Sequence, residues 1–207
     1  MTTAMEAPAP QKSLPPTPGN DPKHWLADSQ NRLTAGVGML VVVAAVGWFV
    51  IVSGQRKEEF AARALNRARD AAESGNLPLA ASELQKVIAS FRGTDAAVEA
   101  VITLNQVRMV NGQTELAVVG LRDYLKSGPE RKYLAPAYGL LGAALENSNQ
   151  PGQAAQAFLS AADAADVDYL KAEYLNQAGR AWVNAGKPEE AIKAYQRVVT
   201  EFPKAPG

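Results

Sequence analysis

The sequence predicts an all-α protein: one membrane-spanning helix followed by an α-solenoid of four helix pairs with a period of 37 residues. Three observations predict it. A run of 20 residues, 33–52, carries no charge. A turn signal centred on glycine or asparagine recurs four times at one spacing. Behind each turn, small and large apolar residues follow at helical intervals.

Taken in order, the first element is a tail. Residues 1–20, "MTTAMEAPAPQKSLPPTPGN", hold five prolines and almost no large apolar side chains. Such a segment buries too little surface to offset its ordering entropy and reads as disordered. Residues 21–32 read as a short interfacial segment. Asp21-Pro22 resembles an N-cap with proline at the first helical position, and Trp25 suits a headgroup layer. His24, the single histidine, reads as a solvated surface group there.

Residues 33–53 form the predicted transmembrane helix. Of positions 33–52, sixteen are strongly apolar; the others are Thr34, Gly36, Gly38 and Gly47. At ~1.5 Å per residue, twenty residues span ~30 Å, the thickness of a bilayer's hydrocarbon core. No polar stripe marks it as a soluble core helix. The 32-residue leader, the length of the run and the missing small-residue cleavage site argue against a cleaved signal peptide. No Gly-xxx-Gly pair points to tight helix dimerisation. Lys12, Lys23 and Arg32 precede the span, whereas Arg56, Lys57, Arg63, Arg67 and Arg69 follow it. A plain positive-inside count therefore puts the following domain in the cytoplasm, although those basic residues alternate with Glu58, Glu59, Asp70 and Glu73.

The repeat domain covers residues 55–205, with units at about 61–97, 98–134, 135–171 and 172–205. Gly75, Gly112, Asn149 and Gly186 stand 37 residues apart. Ala80, Ala117, Ala154 and Ala191 follow at the same spacing, then Leu84, Leu121, Phe158 and Tyr195, then Val87, Tyr124, Ala161 and Val198. The glycine supplies a left-handed residue that ends one helix. Pro188, Glu189 and Glu190 suit the first turn of the next. The alanine allows close approach, and the large residue one turn on fills the space beyond it. Each pair leaves an apolar face that only a neighbouring pair can cover, so the units stack.

The fourth unit resembles a tetratricopeptide repeat through Leu175, Ala178-Gly179, Trp182, Gly186, Ala191, Tyr195, Val198 and Pro203. The third resembles it through Tyr138, Leu141-Gly142, Leu145, Ala154, Phe158 and Ala161, with Asp166 in place of the proline. The second keeps Leu104, Gly112, Ala117, Leu121 and Pro129 but departs at Asn105 and Arg108. In the first, Arg67-Ala68 replaces the Leu-Gly pair. The layout of tail, anchor and degenerate repeats is also similar to the YfgM-like translocon-associated proteins of bacterial inner membranes. That resemblance implies a single-pass inner-membrane protein with a periplasmic repeat domain working among chaperones. Periplasmic placement is the expectation adopted, with the cytoplasm as the alternative that the charge count favours.

Composition and motifs point away from catalysis. With no cysteine there is no disulfide or thiolate site, and one histidine starves a metal site or a triad. Lysine plus arginine equals aspartate plus glutamate at 21 each, so nothing indicates nucleic acid. "GVGMLV" lacks the third glycine of a dinucleotide fingerprint and lies in the span. No cofactor, metal or catalytic residue is expected. Tyr138, Phe158, Trp182 and Tyr195 fall on repeat-core positions and read as packing. The expected function is a membrane-anchored adaptor, chaperone-like or translocon-associated, or else a structural accessory subunit of a membrane complex. Its partners are a protein or peptide segment and, through residues 33–53, the lipid bilayer. In the resembled solenoid the first helix of each pair lines a concave groove. The expected groove residues are Leu65, Arg69, Ile102, Gln106, Met109, Gly139, Ala143, Glu146, Asn176 and Arg180. They lack the lysine and asparagine set with which such clamps hold a C-terminal carboxylate, so a peptide held by shallow apolar contacts is expected. Val199 and Phe202 mark a second expected docking site on the last helix.

Overall fold

A computed structural model describes residues 22–203, with side-chain surroundings from residue 37 onward. The expected tail over residues 1–20 lies outside the described residues, as do the side chains of His24 and Trp25. All regular structure among the described residues is helical. The helices are α1 (Pro22–Glu73), α2 (Leu77–Ser90), α3 (Asp95–Val110), α4 (Thr114–Lys126), α5 (Arg131–Asn147), α6 (Pro151–Ala164), α7 (Asp168–Asn184) and α8 (Pro188–Glu201). The chain divides into two units, residues 1–52 and 53–207.

In the first unit, α1 runs without a break through the residues expected to separate an interfacial segment from a span. Among the described residues, one helix is long and apolar enough to cross a membrane. From Val37 to Ile51 its large apolar side chains are each more than half exposed. A helix apolar on every face over such a length has the composition of a span.

The second unit is the solenoid: the C-terminal part of α1 with α2, then α3 with α4, α5 with α6, and α7 with α8. Consecutive helices from α2 to α8 pack on one another. The turn inside every pair is built the same way. Gly75, Gly112 and Gly186 have φ of 81°, 73° and 69°, and Asn149 takes the same role at 55°. At each, two bonds close the helix end, for example Gly186 N–H to Val183 O at 3.0 Å and Lys187 N–H to Trp182 O at 2.9 Å. This six-to-one plus five-to-two pattern is the Schellman motif, and it satisfies carbonyls that the helix end would leave unpaired.

The core follows the period. Ala80, Ala117 and Ala154 are fully buried and Ala191 is 2% exposed. Leu84, Leu121 and Phe158 fill the next turn, with Tyr195 packed against the main cluster. Close approach is real at the glycines of the third and fourth units that face the large second-helix residue. A Cβ on Gly142 would lie 2.5 Å from the Phe158 ring, and one on Gly179 would lie 2.5 Å from Tyr195.

The ends of the stack differ. Ala100, Leu104 and Val107 of α3 are buried, as are Ala137, Leu141 and Ala144 of α5. In α7 the same places hold half-buried Tyr174 and buried Ala178 and Ala181. In α1, which no earlier helix pair precedes among the described residues, these positions are Arg63, Arg67 and Asp70, all exposed. The places covered in three units and open in the first are therefore those that a preceding unit shields. The converse holds on the second helices. Ala81, Val118 and Ala155 are covered, as are Ile88, Leu125 and Ala162. Their counterparts on α8, Ile192 and Val199, are 54% and 72% exposed.

Candidate functional site

Groove residues come from the faces of α1, α3, α5 and α7 left free by stacking. The structure splits the expected set. Leu65 is 2% exposed and belongs to the core shared by α1, α2 and α3, so it does not line a groove. Gly139 is likewise closed off: a Cβ there would meet Tyr174 at 2.5 Å. Ile102 and Asn176, at the same repeat position, are half-buried. Leu65 was misassigned because this position lies on the flank where one first helix leans on the next.

The position four residues further on is open. Arg69 and Gln106 line one cleft together with Ala72, Glu73, Leu77, Thr103, Val107 and Val110. Its volume is ≈ 410 Å³. Arg69 donates to Glu99 at 2.8 Å, which holds the guanidinium along one wall. Val110 stands 75% exposed at the rim. Leu77, Thr103 and Val110 were missed in the sequence. The signal for Val110 was available, since Val110 and Glu73 share a repeat position one turn beyond Gln106 and Arg69.

Further along, Ala143 and Met109 pack against the main core, while Glu146 and Arg180 are exposed. Partial burial raises the Glu146 carboxyl above its ordinary value, and the nearby Arg180 charge opposes this. The arrangement gives an apolar floor with separate charges of both signs. No cluster of acidic or histidine side chains able to hold a metal occurs among the described residues.

On the last helix, Val199 is exposed, whereas Phe202 is half-buried against the cluster of Leu175 and Val198. The Lys171 ammonium lies 5.9 Å from the centre of its ring. Phe202 therefore serves the fold of the fourth unit.

Two polar features also escaped the sequence reading. The departures at Asn105 and Arg108 are a matched set. Asn105 is 1% exposed, donates to Val101 O at 2.8 Å and accepts from Arg108 Nη1 at 3.1 Å. Gly120 on α4 makes room for them, since a Cβ there would lie 2.6 Å from Asn105 Oδ1. The second feature is a ladder of side chains one repeat apart. Glu58 accepts from Asp95 N–H and Ala96 N–H, both at 2.9 Å. Asp95 accepts in turn from Lys132 Nζ at 2.9 Å and Tyr133 O–H at 2.8 Å. Hydrogen bonds from Lys132, then Tyr133, hold the Asp95 carboxyl below its usual value.

Paired helices and repeated turn motifs define a repeat scaffold of the protein-interaction class. The chain belongs to the tetratricopeptide repeat-like domain family, which it matches over residues 23–205. Among solved structures it is similar to MamA. A crystal structure of MamA protein superimposes with a TM-score of 0.56 at 21% identity, covering 70% of this chain and 74% of that one. A MamA fragment from Desulfovibrio magneticus RS-1, from residue 41 to the end, gives 0.52 at 22% identity over 66% and 72%. A MamA RS-1 ArsTM double mutant gives 0.54 at 20% identity over 87% and 94%. At these identities the likeness is one of fold. No curated protein matches the chain in sequence.

Proposed function

We propose that the protein is a membrane-anchored adaptor whose concave groove holds an extended or helical peptide segment of a protein partner. The observation that carries this is the open cleft of ≈ 410 Å³ between α1 and α3, with Arg69, Gln106 and the exposed Val110 around it. Shallow apolar contact plus a few polar anchors is a common way to grip a peptide. Anchoring rests on the uncharged stretch of α1, whose large apolar side chains from Val37 to Ile51 are each more than half exposed. A chaperone-like or translocon-associated role, with the repeats in the periplasm, is supported by the order of tail, anchor and repeats. The accessory-subunit reading rests on the same anchor, which would then pack against helices of a larger complex.

A photo-reactive residue at Gln106, in native membranes, tests the groove. Cross-linked partners are expected there, and Val110→Asp is expected to abolish them. Equal labelling from Lys86, outside the cleft, sinks the groove assignment. A stoichiometric complex surviving detergent extraction favours the subunit, whereas varied transient partners favour the adaptor. A reporter fused after Gly207 and active only in the cytoplasm overturns the periplasmic placement if it gives signal.

A further inference from the structure

The two ends of the solenoid treat a prospective neighbour in opposite ways. At the first end, the positions that stacking would cover are Arg63, Arg67 and Asp70. Arg63 pairs with Glu59 at 3.2 Å, and burying these charges still costs several kcal/mol each, which opposes an apolar neighbour there. On α8 the corresponding positions stay apolar as Ile192 and Val199, and no element among the described residues covers them. A solvent-facing end needs polar residues for solubility. The three inner interfaces show what this face accepts. Each places a helix over it with side chains at i, i+4 and i+7 that are apolar or aromatic, as in Ala137, Leu141 and Ala144 of α5 or Tyr174, Ala178 and Ala181 of α7.

We infer that the outer face of α8 is a docking site for an amphipathic helix of another protein, which continues the stack as the first helix of a fifth unit. The occupant carries apolar residues, at least one of them alanine or similarly small, at i, i+4 and i+7. The charges of α1 oppose a second copy stacking head to tail. The site is separate from the groove and uses none of its residues.

The probe is a fluorescent peptide spelling Asp168–Asn184, whose Tyr174, Ala178 and Ala181 carry the required pattern. It is titrated onto the full chain in lipid nanodiscs. Saturable binding is expected, weakened about tenfold or more by Val199→Glu and by Ile192→Glu, a loss of ~1.4 kcal/mol or more. A peptide with those three residues changed to glutamine is expected not to bind. Because Val199 is 72% exposed, Val199→Glu is expected to leave the melting temperature unchanged. The inference is overturned by absence of saturable binding, or by equal affinity of the variants. It also falls if Val199→Glu lowers the melting temperature by several degrees, which would mean the face is covered within the chain. Sedimentation showing a dimer that Val199→Glu dissociates assigns the face to a second copy instead.

Discussion

Single residues set the helix spacing in this molecule. Gly142 and Gly179 each face an aromatic ring of the partner helix with no space for a methyl group. Gly179→Ala drives a carbon to 2.5 Å from Tyr195 and is expected to destabilise by about 1–3 kcal/mol, read as a lowered denaturation midpoint with an unchanged slope. Asp95 gives a pH signature. Its carboxyl titrates below the usual value because Lys132 and Tyr133 donate to its ionised form. The associated stability is therefore present above the unfolded value and lost as the pH falls through the lower folded one. Wild type is expected to lose stability on acidification below about pH 4, where unperturbed aspartate protonates, while Asp95→Asn loses less over the same interval. Coincident acid profiles of the two proteins would remove Asp95 from the account. The repeated glycines and alanines were legible in the sequence because backbone conformation and close approach admit few residue types. Asn149 was legible for the same reason, asparagine being one of the few other residues that tolerate positive φ.

At the scale of the element, helix ends are satisfied by neighbours as well as by local caps. The start of α3 shows both. Thr94 Oγ1 accepts from Ala97 N–H at 3.1 Å, while Glu58 takes the N–H groups of Asp95 and Ala96. A carboxylate at a helix N-terminus also meets the positive end of the helix dipole. Glu58→Ala is expected to cost about 1 kcal/mol, seen as faster amide exchange in the first turn of α3. Unchanged exchange there would show that Thr94 suffices. This link was not legible, because Glu58 reads as a surface charge until α3 is seen against α1. The single continuous α1 was hidden for a related reason. Its polar segments flank an apolar run, and composition changes along it while the backbone does not. Groove positions were legible only where the repeat was sharp. Arg69 and Gln106 line one cleft, whereas Leu65, in the most degenerate unit, lies in the core.

For the whole molecule, the repeat period decided the architecture, and the uncharged run decided the proposal of a membrane. Val43→Arg places a charge near the middle of that run. Its insertion cost of about 2.5–3.5 kcal/mol is expected to raise the fraction extracted by alkaline carbonate. Equal extraction of the variant and wild type would argue that the run does not cross a bilayer. The set of Asn105, Arg108 and Gly120 has a last consequence, which concerns folding fidelity. An array of similar alanine-rich helix pairs can close in the wrong register, with a first helix meeting the second helix of another unit. Asn105 is accommodated by the notch at Gly120, whereas the same repeat position holds Ala157 on α6 and Ala194 on α8. Mispaired, α3 would press a buried amide against a methyl group and strand its hydrogen bonds. One polar misfit thus acts as an address within a repetitive sequence, telling the second unit apart from its copies while the chain is still folding.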